Sequence, residues 1–310
     1  MQDYLKCELC PRRCGVDRTE KRGFCGQSND IRIARAGLHM WEEPCISGER
    51  GSGTVFFSGC TLRCVFCQNY EISQLGRGYT VTENELADIF LYIQDKGWRN
   101  VNLVTPSHFS DRIAVALSLA KPYLNIPVVY NTSAYEKVSA LKQLDGLVDV
   151  YMPDLKFCSA DVSRQLANAS NYFEVATAAI AEMRRQQPKD VFDTQGYMMQ
   201  GVIVRHLVLP SFVEDSKKVL DWLSRFDKHI YVSLMSQYFP ARQDEEFLQL
   251  NRRLYKHEYD SVKQYFFNVG LSNGYTQDVA SATVDYLPEF SDDTVIEALQ
   301  NSPNVFHKKG

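Results

Sequence analysis

Cys60, Cys64 and Cys67 fall within eight residues, in Gly59-Cys-Thr-Leu-Arg-Cys-Val-Phe-Cys-Gln68. Soft thiolates grouped in this way select zinc or an iron-sulfur cluster. The C-x3-C-x2-C spacing supplies three sulfurs, one fewer than the four that saturate a 4Fe-4S cube. That shortfall is the useful feature, because an iron without a protein ligand is open to a substrate or cofactor. The competing readings are a zinc loop, which requires a fourth ligand nearby, and plain buried thiols. Three cysteines directly after the strand-like Thr54-Val-Phe-Phe57 fill a core poorly, so a 4Fe-4S cluster is the expectation.

A second set, Cys7, Cys10, Cys14 and Cys25, has the spacing C-x2-C-x3-C-x10-C. Four thiolates complete a site, either a zinc tetrahedron or a second, saturated iron-sulfur cluster. Spacing does not choose between them. A structural zinc site is the first expectation, and an auxiliary cluster that relays electrons the second. Cys45 and Cys158 stand alone, and a lone cysteine is most often a small buried hydrophobe.

Elements able to position these groups are legible in the rest of the chain, which has 310 residues, 45% of them apolar, and a net charge of -4. This size allows one large core, and one α/β barrel with a small N-terminal appendage is favoured over two domains. Nine cysteines at metal-ligand spacings, with no charged-then-apolar leader, point to a cytoplasmic protein rather than a secreted disulfide framework. No stretch approaches the roughly 20 apolar residues that cross a bilayer. The basic residues are scattered singly and build no nucleic-acid footprint.

Apolar runs alternate with helix-period segments, as in repeated βα units around a parallel sheet. Strands are expected at 54–58, 101–105, 127–131, 147–152, 202–209 and 230–235, several of them apolar throughout and so buried on both faces. Helices are expected at 83–96, 111–121, 134–144, 160–187, 214–226 and 245–259, giving six units. Thr82 with Glu85 has the spacing of a capping box. The segment 1–50 is expected as the cysteine-rich appendage and linker, and 51–310 as the barrel. Chemistry in such barrels lies at the carboxyl ends of the strands, where this chain places Thr105, His108, Asn131, Asp154, Lys156 and Arg205. The joining segment Gly37-Leu-His-Met-Trp-Glu-Glu-Pro44 is expected either to line the site or to receive the appendage, with Glu42 and Glu43 as solvated loop charges rather than acid-base groups. Tyr265-Phe-Phe267 is expected as a final packing strand.

The three-cysteine loop with Phe66 before its last cysteine resembles the radical S-adenosylmethionine (SAM) superfamily. The phrases Gly53-Thr-Val-Phe-Phe-Ser-Gly-Cys60, Asn102-Leu-Val-Thr-Pro106, Val129-Tyr-Asn-Thr-Ser133, Asp149-Val-Tyr-Met-Pro-Asp-Leu-Lys156 and Val204-Arg-His-Leu-Val-Leu-Pro210 narrow the likeness. They resemble pyruvate formate-lyase activating enzymes, within a homologue group carrying extra N-terminal cysteines. The resemblance implies a partial (β/α)6 barrel open on one side. It also implies a cluster that passes one electron to SAM, releasing methionine and a 5′-deoxyadenosyl radical that abstracts a hydrogen atom. An electron donor such as flavodoxin or ferredoxin and a glycyl-radical enzyme are the implied partners; a small metabolite, a peptide or an RNA base is the alternative substrate. Carried over residue by residue, Asp154 and Lys156 lie near the methionine end of SAM, Asn131 near its carboxylate, and Arg205 pairs with that carboxylate. The Gly-Gly-Glu common after the second strand is replaced by Val104-Thr-Pro-Ser-His108, which leaves Thr105 or a neutral His108 to accept the SAM ammonium.

Overall fold

The computed structural model describes residues 6–277, 290 and 293–306. An N-terminal loop region leads into β1 (Ile31–His39), the four-residue α1 (Pro44–Ser47) and β2 (Ser52–Phe57). After the cysteine loop come α2 (Tyr70–Ser73), β3 (Tyr79–Val81) and α3 (Glu83–Asp95). Strand–helix alternation then continues through β4 (Val101–Val104), α4 (Ser110–Ala120), β5 (Val128–Thr132), α5 (Val138–Leu141) and β6 (Val150–Pro153). Two helices, α6 (Ala160–Ala167) and α7 (Tyr172–Gln186), precede the short β7 (Val191–Phe192) and the long β8 (Met198–Leu207). The chain closes with α8 (Val213–Phe226), β9 (Tyr231–Met235), α9 (Lys256–Asn268), β10 (Gly274–Thr276) and α10 (Asp293–Asn301).

The sheet runs β10-β9-β8-β6-β5-β4-β2-β1-β3. From β2 to β10 along this order every pairing is parallel, whereas β1 pairs antiparallel with both β2 and β3. Parallel strands need covered faces, which is why β2, β4, β5 and β6 are buried at every position. The result is an open α/β barrel of the expected class, with all six expected strands present. The unexpected strand Ile31–His39 belongs to the same sheet and brings residues 40–47 to the barrel interior. There Cys45 and Ile46 pack with Val129, Val150, Met152, Met198 and Ile203 to make an apolar floor.

Three helical expectations and one strand expectation are corrected. The segment 160–187 is two helices, because Asn168 takes φ 54° and ends α6 in the left-handed conformation favoured at helix C-termini. Within 134–144 only Val138–Leu141 is α-helical, followed by one 3-10 turn at Lys142–Leu144. The segment 245–259 is mostly loop, its backbone N–H groups at Glu246 and Phe247 bonded to the Asp244 side chain instead of forming a helix. Helix α9 starts later and absorbs Tyr265-Phe-Phe267, so that stretch is not a strand: Tyr259, Val262 and Phe266 form its buried stripe. The capping box forms as expected, with Glu85 N–H donating to Thr82 Oγ1 at 3.2 Å and Thr82 N–H to Glu85 Oε2 at 2.7 Å.

Candidate functional site

The loop after β2 carries Cys60, Cys64 and Cys67 to the barrel mouth, where all three line a cavity of about 650 Å³. This is within the roughly 300–1,000 Å³ range of small-molecule sites. The Leu62 N–H lies 3.3 Å from Cys60 Sγ, and Cys67 Sγ lies 3.2 Å from Ser73 Oγ. Burial pushes the Cys60 thiol up to about 12 and raises Cys64 as well, against a lowering by Lys156 at both. Thiols so placed ionise when a metal group compensates them. Among the described residues, no group of three or more His, Cys, Asp or Glu side chains is placed to hold one metal ion. Three thiols lining one cavity have the donor chemistry of a 4Fe-4S cluster, whose irons each take a separate thiolate. Phe66 lines the same cavity, its ring 6.0 Å from that of Phe157 and 6.4 Å from that of Tyr238.

The four-cysteine segment packs directly against this loop. The Cys60 N–H donates to the Cys25 carbonyl at 3.3 Å. Arg12 donates to the Thr61 carbonyl at 2.7 Å and to those of Ala167 and Asn168, and its guanidinium lies 4.0 Å from the centre of the Phe24 ring. Arg18, buried, donates to the His108 carbonyl at 2.8 Å. Within the segment, a methyl group at Gly23 would meet Cys14 Sγ at 3.3 Å and Cys25 Sγ at 3.5 Å. Burial pushes Cys10 up to about 12 and raises Cys25.

Below the mouth lies a layer of buried charge. Asp154, just past β6, accepts from Arg205 Nε at 2.8 Å and from Lys156 Nζ at 2.6 Å. Burial alone would raise its carboxyl, but the two cations outweigh that and hold it below the usual carboxylate range. Arg205 also donates to Asn131 Oδ1 at 2.6 Å and to Glu42 Oε2 at 3.3 Å. Asn102 and Asn131 donate to Glu42 Oε1 at 3.0 and 3.4 Å. Thr105 lines the cavity with φ 60°, a conformation rarely taken by β-branched residues and one that concentrates at functional sites.

Asp154, Lys156, Asn131, Arg205, Thr105 and Phe66 are thus brought to one cavity with the three thiols. His108 is not: it is buried beside Phe109, its Nε2 lies 2.6 Å from the Ser58 carbonyl, and burial lowers it to about 3. Nor are Glu42 and Glu43 solvated loop charges. The Glu42 side chain is 7% exposed and Glu43 8%, and both line the cavity. Their sequence signal was adjacent to Pro44, which starts α1 and fixes the turn that carries them inward, but it is visible only once β1 is known to be a strand. Cys45 is buried in the floor, while Cys158 lies outside the cavity lining, its N–H bonded to Asp215.

A model of the radical SAM superfamily matches residues 54–223. "Uncharacterized protein MJ0674" of Methanocaldococcus jannaschii is 32% identical over 259 residues, covering 81% of this chain and 71% of that protein. Among solved structures, Streptococcus suis SuiB bound to S-adenosylmethionine aligns with TM-score 0.48 and 14% identity over 76% of this chain, which spans 52% of the SuiB chain. Methylornithine synthase (PylB) aligns with TM-score 0.47 and 16% identity over 78% of each chain. The family match covers the cysteine loop and the strands that surround it, and the chain belongs to the radical SAM superfamily, whose cofactors are a 4Fe-4S cluster and SAM.

Proposed function

We propose that this protein binds SAM between the three-thiol loop and the Asp154–Lys156 end of β6, cleaves it reductively, and removes a hydrogen atom from a small substrate seated in the barrel. The observation carrying this reading is that one cavity joins three cysteines, short of a full ligand set, to a buried charged layer. When bound there, the reduced cluster and SAM supply radical hydrogen abstraction. The chain's own residues do the rest. Cys60, Cys64 and Cys67 hold the cluster and leave one iron open. Phe66, backed by the rings of Phe157 and Tyr238, walls the cavity and excludes water. Lys156 offers its ammonium to the carboxylate end of SAM, held in place by Asp154. Thr105, aimed by its left-handed backbone, accepts the SAM ammonium in place of a carboxylate. Asn131 and Arg205 are engaged with Glu42 and Asp154, so they brace the site, and a SAM carboxylate reaches Arg205 only by replacing one of these partners.

A small substrate is favoured over a glycyl-radical partner because α1 packs into the barrel floor and the cavity, about 650 Å³, is of small-molecule size. The N-terminal quartet, having four sulfurs, is saturated by either zinc or a cube and serves structure or electron relay. Flavodoxin or ferredoxin supplies the electron, in the cytoplasm. Anaerobically reconstituted protein given dithionite and SAM releases 5′-deoxyadenosine if the proposal holds; an intact cluster without cleavage overturns it. A glycine-centred resonance signal in a glycyl-radical enzyme mixed with the reduced protein and SAM would instead establish the activase reading. Iron and sulfide beyond one cube per chain would assign the quartet to a second cluster, and zinc with a single cube would make it structural.

A further inference from the structure

We propose that Glu43, backed by Glu42, forms a subsite on the barrel floor that binds a positively charged nitrogen group of the substrate, such as a protonated amine or a guanidinium. The inference rests on the reading that a small substrate enters the barrel, and it names that substrate's chemical class. Glu43 is more than nine-tenths buried and lines the cavity, yet its Oε2 has no hydrogen-bond partner among the described residues. A buried, unsatisfied carboxylate oxygen is uncommon and calls for a ligand.

Among the described residues no cation is hydrogen-bonded to Glu43, although Arg205 favours its charged form. The layer contains three carboxyl groups, Glu42, Glu43 and Asp154, and two cations, Arg205 and Lys156; burial raises Glu42 and Glu43, an effect that a cationic ligand offsets. Lys156 is bonded to Asp154, while Arg205 divides its fork among Asp154, Glu42 and Asn131. His39, at the same cavity, is lowered to about 4 by burial and by Arg35 and Arg205, so it is neutral at pH 7. A cationic substrate completes the balance through charge-assisted hydrogen bonds, which are about twice as strong as neutral ones.

Calorimetric titration of the anaerobically reconstituted, unreduced protein tests this, using SAM, then n-butylamine and agmatine against n-butanol and butyrate. The expected result is that both amines bind at least tenfold more tightly than butanol, that butyrate does not bind, and that Glu43→Gln removes the preference. Equal binding of amine and alcohol by the wild type overturns the subsite whatever the variant does, as does an unchanged preference in a Glu43→Gln protein whose circular dichroism and iron content match the wild type. A Glu43→Gln protein that loses SAM affinity as steeply as amine affinity would show that the carboxylate serves SAM, which also overturns it. Failure of the wild type to bind SAM counts against the SAM site itself, whereas SAM binding without amine preference counts against the subsite alone.

Discussion

Two cysteine regions of this chain touch each other and differ by one sulfur. The loop at the barrel mouth presents three thiols to a cavity, and the N-terminal segment presents four within a knot of turns. One sulfur decides the chemistry: a saturated site can hold structure or pass electrons, but only an unsaturated one keeps a metal position for a second molecule. The two are joined by the hydrogen bond from the Cys60 N–H to the Cys25 carbonyl and by Arg12, whose guanidinium reaches across to the Thr61 carbonyl. Proximity therefore does not make the sites equivalent. The three-thiol loop lines the cavity, whereas none of the four N-terminal cysteines does.

The sharpest test of this contrast is Cys64→Ala, which is expected to abolish both the brown chromophore of the mouth cluster and 5′-deoxyadenosine formation, measured by absorbance and chromatography. Cys10→Ala is expected to retain SAM cleavage with a loss of roughly tenfold, the lower end of what supporting groups cost a metal site. Equal, total loss in both variants would erase the distinction between an open and a supporting site. Arg12→Ala removes hydrogen bonds from a charged donor, each contributing about 1.5–3 kcal/mol. Hydrogen exchange and limited proteolysis should show loosening confined to residues 6–30, and loosening spread over the whole sheet would mean that the segment is not a separable support. Thr82→Ala removes a cap remote from both cysteine regions. It should lower unfolding stability by about 1 kcal/mol in a denaturant titration and leave the metal content unchanged.

The mouth of the barrel was far easier to foresee than its floor. Cys60, Cys64 and Cys67 carry their function in local spacing, and Asp154 and Lys156 stand out as charges at the end of an apolar strand. Glu42 and Glu43 carry no such mark. They follow a strand whose polar Arg32 and Arg35 obscured it, and two adjacent glutamates before a proline have the composition of a solvent loop. Arg205 was legible as a functional position but not as the partner of Asp154, Glu42 and Asn131, because those four residues are brought together from four separate places in the chain. The helix at 245–259 failed for a local reason: Asp244 and Asn251 side chains captured backbone groups that periodicity had assigned to a helix.

By itself, the order of residues determined the alternation of strands and helices, the three-sulfur loop and its open valence, since each depends on neighbours within about ten positions. Tertiary structure alone decided that Ile31–His39 joins the sheet, that α1 packs against the inner strands, and that the buried Glu43 Oε2 has no hydrogen-bond partner among the described residues. Charge balance in a cavity is a sum over distant segments, and burial, which makes an unpaired carboxylate costly, exists only after those segments have packed.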